Sequence, residues 1–140
     1  MSQLKKLRED HAQLARCIRQ LGEVISQPSP PSQTALYDVR RELVSILLPH
    51  LKLEDWALYP LLIVSAGPEL SETGRRFKDE MGGLAPAFLA YCDRWSAQSI
   101  EQDWTGYCAD TSAILDALTN RLTRENPELL PLLEPLDRAA

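Results

Sequence analysis

The chain has 140 residues, of which 44% are hydrophobic and 25% are charged, and its formal net charge is −5. This balance predicts one globular domain, residues 1–140, with a sizeable core, and the acidic charge argues against a nucleic-acid partner. No apolar run is long enough to cross a bilayer, and the cysteines Cys17, Cys92 and Cys108 are too far apart for a C-x-x-C pair, which indicates free thiols in a reducing cytoplasm. The charged start, MSQLKKLRED, lacks the apolar stretch of a signal peptide.

The first predicted helix extends from Leu4 to Ile25, because apolar residues recur there at alternating spacings of three and four. His11 occupies one position of this inward stripe, where an apolar residue would be expected. The segment 29–32, SPPS, ends the helix, and Ser32 is well placed to cap the next one.

A second helix is predicted from about Ser32 to Ser65, and Pro49 is expected to bend it just before His50. Polar residues again lie on the inward stripe, which comprises Leu36, Val39, Leu43, Ile46, His50, Glu54, Ala57 and Leu61. The segment 66–68, AGP, then breaks the helix and places a proline in the first turn of the third helix.

The third and fourth helices are predicted to be less regular. The third has Met81 on its inward stripe, and the glycines at 82–83 weaken the helix beside it. The fourth is predicted to begin at Ser99 with a capping box completed three residues later. Pro127 is expected to interrupt it before a short amphipathic tail from Glu128 to about Asp137.

Four helices with short connections predict an all-α, antiparallel, up-down-up-down four-helix bundle with a short C-terminal helical tail. No segment alternates β-branched and polar residues as a strand would. Antiparallel packing brings six non-aliphatic side chains of the predicted inward faces towards one end of the bundle: His11, His50, Glu54, Met81, Arg121 and Glu125.

A repeated segment supplies four of these six residues. The sequence HLKLEDWALYPLL, which begins at His50, has a weaker copy, RLTRENPELLPLL, which begins at Arg121, and six of the thirteen positions are identical. In the first copy, His50 and Glu54 are four residues apart and therefore share one face of a helix, as two metal ligands on one helix do. The second copy retains Glu125 but has Arg121 in place of the histidine.

Together these motifs resemble the hemerythrin-like, or HHE cation-binding, family. They are Asp10-His11 in the first helix, H-L-x-x-E-[ED]-x-x-L-Y-P at 50–60, Glu80-Met81 where a glutamate–histidine pair is expected, and x-L-x-x-E-x-x-x-L-x-P at 121–131. The resemblance covers nearly the whole chain. It implies a four-helix bundle whose relatives hold a non-haem di-iron centre and bind oxygen, sense oxygen or redox state, or store or respond to iron.

The same resemblance implies a ligand set for one metal ion, with iron as the expected metal: His11, His50, Glu54 and Glu125. The ligand positions of a second ion have changed, because Met81 and Arg121 stand where the third- and fourth-helix histidines are expected and Phe77 where some members have a further ligand. A thioether is a poor match for hard iron, and a guanidinium stays protonated and does not bind metal.

Two interpretations of this incomplete ligand set remain open. In one, the four retained residues bind a single divalent ion and Arg121 takes the place of the missing second ion. In the other, no metal binds, and the histidines and Arg121 pair with the carboxylates in a polar network. Both need Arg121 inside the bundle, because burying carboxylates without a counter-charge is costly, although Leu122 competes for that inward position.

We therefore predict a cytoplasmic hemerythrin-like protein with a degenerate centre that holds at most one metal ion and has a sensing or regulatory role. The alternative is a metal-free helical bundle that acts as a protein-interaction module. The sequence has no obvious nucleophile motif and no glycine-rich phosphate loop, so we predict no enzymatic activity. A protein partner fits both alternatives, and a membrane partner fits neither.

Overall fold

The computed structural model describes residues 3–64 and 67–139, and the regular structure within these two stretches is entirely helical. The elements are α1 (Gln3–Ile25), α2 (Gln33–Leu53), a π-helical turn (Glu54–Leu58), α3 (Tyr59–Val64), α4 (Pro68–Met81), α5 (Leu84–Arg94), α6 (Ala97–Gln102), α7 (Trp104–Glu128) and α8 (Leu130–Ala139). This confirms the all-α class. Ser65 and Ala66, where the second helix was predicted to end, lie outside the described residues. Among the described residues, no helix has both the length and the apolar character needed to span a bilayer.

The start of the last long helix differs from the prediction. Ser96, not Ser99, is the capping residue of the short helix α6, and the two serines exchange hydrogen bonds between their side chains and backbone N–H groups. The extended backbone of Asp103 then ends α6, and Asp103 Oδ1 accepts a hydrogen bond of 2.9 Å from the Gly106 N–H to cap α7. The predicted start at Ser99 was wrong because Asp103 offers a second capping acceptor four residues later.

The prolines at 49 and 127 both lie inside helices rather than at their ends. The interruption predicted at Pro127 falls two residues later, since α7 continues to Glu128 and breaks at Leu129 before α8. Proline removes only one N–H donor from the backbone ladder, and Pro127 is one residue from the end of its helix, where few backbone hydrogen bonds remain to be lost. The tail is helical, as predicted, and forms α8.

The inward stripe of the second helix follows the prediction as far as Glu54 and then departs from it. Leu61 is 60% exposed, whereas Tyr59 and Leu62 are fully buried. The cause is the π-helical turn, in which the Tyr59 N–H bonds to the Glu54 carbonyl five residues earlier. A wider turn contains one residue more than α-helical spacing allows, so the predicted positions at Ala57 and Leu61 rotate outwards.

Two apolar clusters fill the interior and leave a polar layer between them. One contains Leu14, Leu51 and Leu118, and the other contains Leu7 and Tyr59. Helix α1 packs against α2 and α7, and α8 closes over α1 and α7 beside the second cluster. The buried ionisable residues of α1, α2, the π turn and α7 lie close to where each segment passes from one cluster to the other: Asp10, His11, His50, Glu54, Arg121 and Glu125. The fold therefore screens this layer from solvent on both sides.

Candidate metal centre

The polar layer brings together the four residues that the sequence predicts as ligands. His11 comes from α1, His50 from α2, Glu54 from the first position of the π turn and Glu125 from α7. One potential ligand atom of each residue lies within 4.8 Å of those of the other three, and all four residues are buried.

Both imidazole rings are fixed by a hydrogen bond on their outer nitrogen. His50 Nδ1 lies 3.0 Å from Asp10 Oδ2, and His11 Nδ1 lies 2.7 Å from Asn126 Oδ1. An Nδ1–H that donates to an oxygen leaves Nε2 as the nitrogen directed to the interior, which is the usual arrangement of a metal-binding histidine. The sequence motif contained Asp10 and Asn126, but their spacing did not reveal this orienting role.

The inward-facing atoms are close together and form no hydrogen bond with the described residues. His11 Nε2 lies 3.2 Å from Glu125 Oε1 and 3.6 Å from Glu54 Oε2. These three atoms and His50 Nε2 are all buried without a hydrogen-bond partner. Each buried atom that is left without a hydrogen bond destabilises the folded state by about 1–3 kcal/mol. Four such atoms that face one point therefore require an explanation. Two imidazole nitrogens and two carboxylate oxygens form a ligand set that suits iron, manganese or zinc.

Arg121 lies inside this layer and is 1% exposed, and Leu122, its competitor for the inward position, is buried as well. Its Nη2 donates to Glu54 Oε1 at 2.9 Å and to Asp55 Oδ1 at 2.8 Å. Its Nη1 donates to the carbonyl oxygen of Met81 at 3.1 Å. The guanidinium therefore lies against the carboxylates on the side of the layer that faces the third-helix positions.

The two changed third-helix positions carry apolar side chains that belong to the smaller apolar cluster. Phe77 is fully buried, and Met81 is 5% exposed. Phe77 packs against Tyr59 with 6.0 Å between ring centroids. Met81 contributes its backbone oxygen, not its thioether, to the contacts of Arg121.

Tyr59 is a member of the site that the sequence analysis missed. The π turn places it one wide turn beyond Glu54, where its hydroxyl donates a short hydrogen bond to Glu125 Oε2 and the Arg121 guanidinium lies 5.2 Å from its ring centroid. Burial and the neighbouring carboxylates raise the pKa of Tyr59 far above its usual range, so the phenol remains a donor. The repeated segment contained a signal for this role, because the second copy has the apolar Leu130 at the position that aligns with Tyr59.

The protonation of the centre follows from these contacts. Burial alone would raise the pKa of Glu54, but the close imidazoles of His11 and His50 hold it well below its usual range. Burial and the charge of Glu54 raise the pKa of Glu125 to about 7. Burial opposes a charge on His11, yet the close carboxylates of Glu125 and Glu54 raise its pKa to about 10. Without metal, the centre is therefore a protonated network whose protons a cation must displace.

We expect the metal-free protein to lose stability as the pH rises from about 6.5 to about 10. His11 holds its proton more tightly in the folded state than in the unfolded chain, so its contribution is fully present below pH 6.5 and lost as the pH passes 10. Thermal unfolding in chelator at several pH values measures the effect, and a His11→Gln variant should show a flatter dependence. A melting temperature that rises across this range would contradict the assignment.

The fold and the centre define an all-helical protein with a buried cluster of histidines and glutamates that is able to hold a cation. A family model described as the hemerythrin HHE cation binding domain matches residues 2–133. The chain therefore belongs to the hemerythrin HHE family, as its motifs predicted. Neither the curated proteins nor the solved structures gave a significant match.

Proposed function

We propose that the chain binds one divalent metal ion through His11, His50, Glu54 and Glu125 and uses its occupancy in a sensing or regulatory role without enzymatic activity. The observation that carries the proposal is the set of four buried, unpartnered ligand atoms that converge within the polar layer. Iron is the metal expected from the family, and when bound it would supply a Lewis-acidic centre whose charge changes with oxidation state.

The two glutamates divide their oxygens in a way that supports a single ion. Glu54 Oε1 accepts from Arg121 and Glu125 Oε2 accepts from Tyr59. The remaining oxygens, Glu54 Oε2 and Glu125 Oε1, are the two that form no hydrogen bond. Each carboxylate is thus held on one side by the protein and keeps its other oxygen available for a cation.

Arg121 disfavours a second ion in two ways. It occupies Glu54 Oε1 and Asp55 Oδ1, oxygens that a second cation on that side would need. It also repels a cation, because a unit charge about 4 Å from another like charge costs about 4 kcal/mol at an effective dielectric constant of about 20. The apolar packing of Phe77 and Met81 offers no ligand in compensation.

The proposal includes the architecture and location that the sequence predicts. We infer a single domain over residues 1–140, arranged as an antiparallel up-down-up-down four-helix bundle in which α4 and α5 share one bundle position. The contacts of α1 with α2 and α7, and of α5 with α7, support this arrangement. The cysteines Cys17, Cys92 and Cys108 are free, which agrees with a cytoplasmic location.

Metal titration tests the proposal. Chelator-treated protein titrated with ferrous iron without oxygen should bind one ion per chain and release protons, since charged imidazoles must lose theirs. His50→Ala should abolish stoichiometric binding because it removes a buried ligand. Glu80→Ala is the matched control, as this exposed glutamate pairs with Arg124 at the surface, and it should still bind one ion. A wild-type chain that binds no ion, or two, would refute the proposal.

A metal-free interaction module is the second candidate. Its support is the exposure of two large apolar side chains in the segment that follows Glu54, since Trp56 is 74% and Val64 79% exposed. The same titration separates the candidates, because this one expects no ion and an unchanged melting temperature on addition of iron.

A further inference from the structure

The candidate ligands are enclosed by the fold. His11 is 4% exposed, His50 is 2% exposed, and both glutamates are fully buried. A cation therefore cannot reach the inward-facing atoms without an opening, and one of the surrounding contacts must give way first.

A groove between α1 and α7 leads to one of these ligands. Its volume is about 490 Å³, and its lining includes His11 and Asn126. Small side chains on each helix leave the space between the two backbones unfilled: Ala12 and Ala15 on α1, and Thr119 and Thr123 on α7. The groove is thus large enough for hydrated ions and water and extends from solvent to the outer face of the His11 ring.

The contact that closes the groove has a neutral acceptor, unlike the one that holds His50. His50 is held by the carboxylate of Asp10, whereas His11 is held through Nδ1 by the neutral amide of Asn126. Hydrogen bonds to charged groups are the stronger ones. Asn126 is also an exposed residue, so water can compete for this hydrogen bond.

We propose that the metal ion enters and leaves the centre through the α1–α7 groove, with the His11–Asn126 hydrogen bond as its gate. Once the His11 Nε2 contacts with Glu125 at 3.2 Å and Glu54 at 3.6 Å also give way, breaking that bond lets the His11 ring rotate into the groove, which uncovers Glu125 Oε1. The other ligands stay in place, because Asp10, Arg121 and Tyr59 hold them. This inference rests on the proposed function, since it concerns the same ion.

Filling the groove provides the test. Ala15 lies one helical turn after His11 on the same face, and a longer side chain there covers the preceding turn, so Ala15→Phe places a ring over the gate. Ala113→Phe is the matched control, because Ala113 is also an exposed helical alanine but lies outside the groove lining. Cobalt(II) is the probe, and its visible absorption is followed by stopped flow during loading and during release into excess chelator.

We expect Ala15→Phe to slow loading and release alike, by about tenfold, because an apolar ring must move aside at each opening. The equilibrium Kd should be unchanged, since the ligands are intact. Asn126→Ala removes the gate contact and should speed both steps, with release affected more because the orientation of His11 is also lost.

The outcomes separate the route from the proposed function. The route would be overturned if Ala15→Phe loaded and released the ion at the same rates as the wild type and Ala113→Phe. If all three proteins then bound one ion at equilibrium, the proposed function would still stand. Slower loading or release in Asn126→Ala would likewise overturn the gate. A wild-type chain that takes up no cobalt or iron would overturn both.

Discussion

Arg121→Met is expected to destabilise the metal-free protein by about 3–5 kcal/mol, the usual cost of removing one partner of a buried ion pair. Methionine is similar in length and fills the space, so the loss comes from the charge. Without the guanidinium, Glu54 and Asp55 would each lose a hydrogen bond of less than 3 Å and their nearest permanent cation. Urea unfolding in the presence of chelator measures the change.

Arg124→Met is the control for this prediction. Arg124 lies on the same helix and pairs with Glu80 and Glu128, but these pairs are at the surface, where ion pairs contribute little. Added divalent metal should restore part of the stability of Arg121→Met, because binding to the folded state stabilises it. If Arg121→Met were as stable as the wild type in chelator, Arg121 would not balance the buried carboxylates.

The double substitution of Arg121→His and Met81→His is expected to raise the binding stoichiometry from one ion to two. It removes the permanent charge and supplies imidazoles at the two positions where the family pattern has histidines. The backbone oxygen of Met81 is only 3.1 Å from Arg121 Nη1, so the two positions face the same space. Relief of a repulsion of about 4 kcal/mol corresponds to roughly a thousandfold gain in affinity for the second ion.

Metal analysis measures the number of ions bound by the double variant. After exposure to oxygen, the near-ultraviolet band of an oxo-bridged iron pair reports whether two irons are present. Met81→His alone is the control, and it should remain at one ion because Arg121 still occupies the carboxylate oxygens. A double variant that binds one ion with unchanged affinity would show that Arg121 is not what excludes the second ion.

The sequence predicted the ligand cluster because its members recur at helical spacing on buried stripes. His11 interrupts an apolar seam, and His50 and Glu54 lie one turn apart within a repeated segment, so regular helices suffice to bring them together. The first helix begins and ends within one residue of the predicted bounds for the same reason. Regular α-helical geometry was therefore sufficient to predict buried positions wherever the backbone kept the usual helical period.

The remaining parts of the site depend on departures from that period or on contacts between distant segments. Tyr59 reaches Glu125 only because the π turn shifts the register after Glu54. Sequence spacing gives no signal for a wider turn, so the positions after it were assigned to the wrong face. To predict that Arg121 points inwards, one would need to know which face of α7 meets the π turn. To predict the role of Asn126, one would need the distance between α1 and α7.

The contacts of Arg121 have a further consequence for electroneutrality. Asp10, Glu54, Asp55 and Glu125 bring four carboxylates to the centre; Lys6 pairs with Asp10 from the surface, and the guanidinium permanently offsets one of the other three. Once Glu125 has given up its proton, the two negative charges that remain match those of a single doubly charged cation. A monovalent or trivalent occupant would leave uncompensated charge in a region shielded from water, so the valence of an ion, as well as the identity of the candidate ligands, would determine whether it could occupy the proposed site.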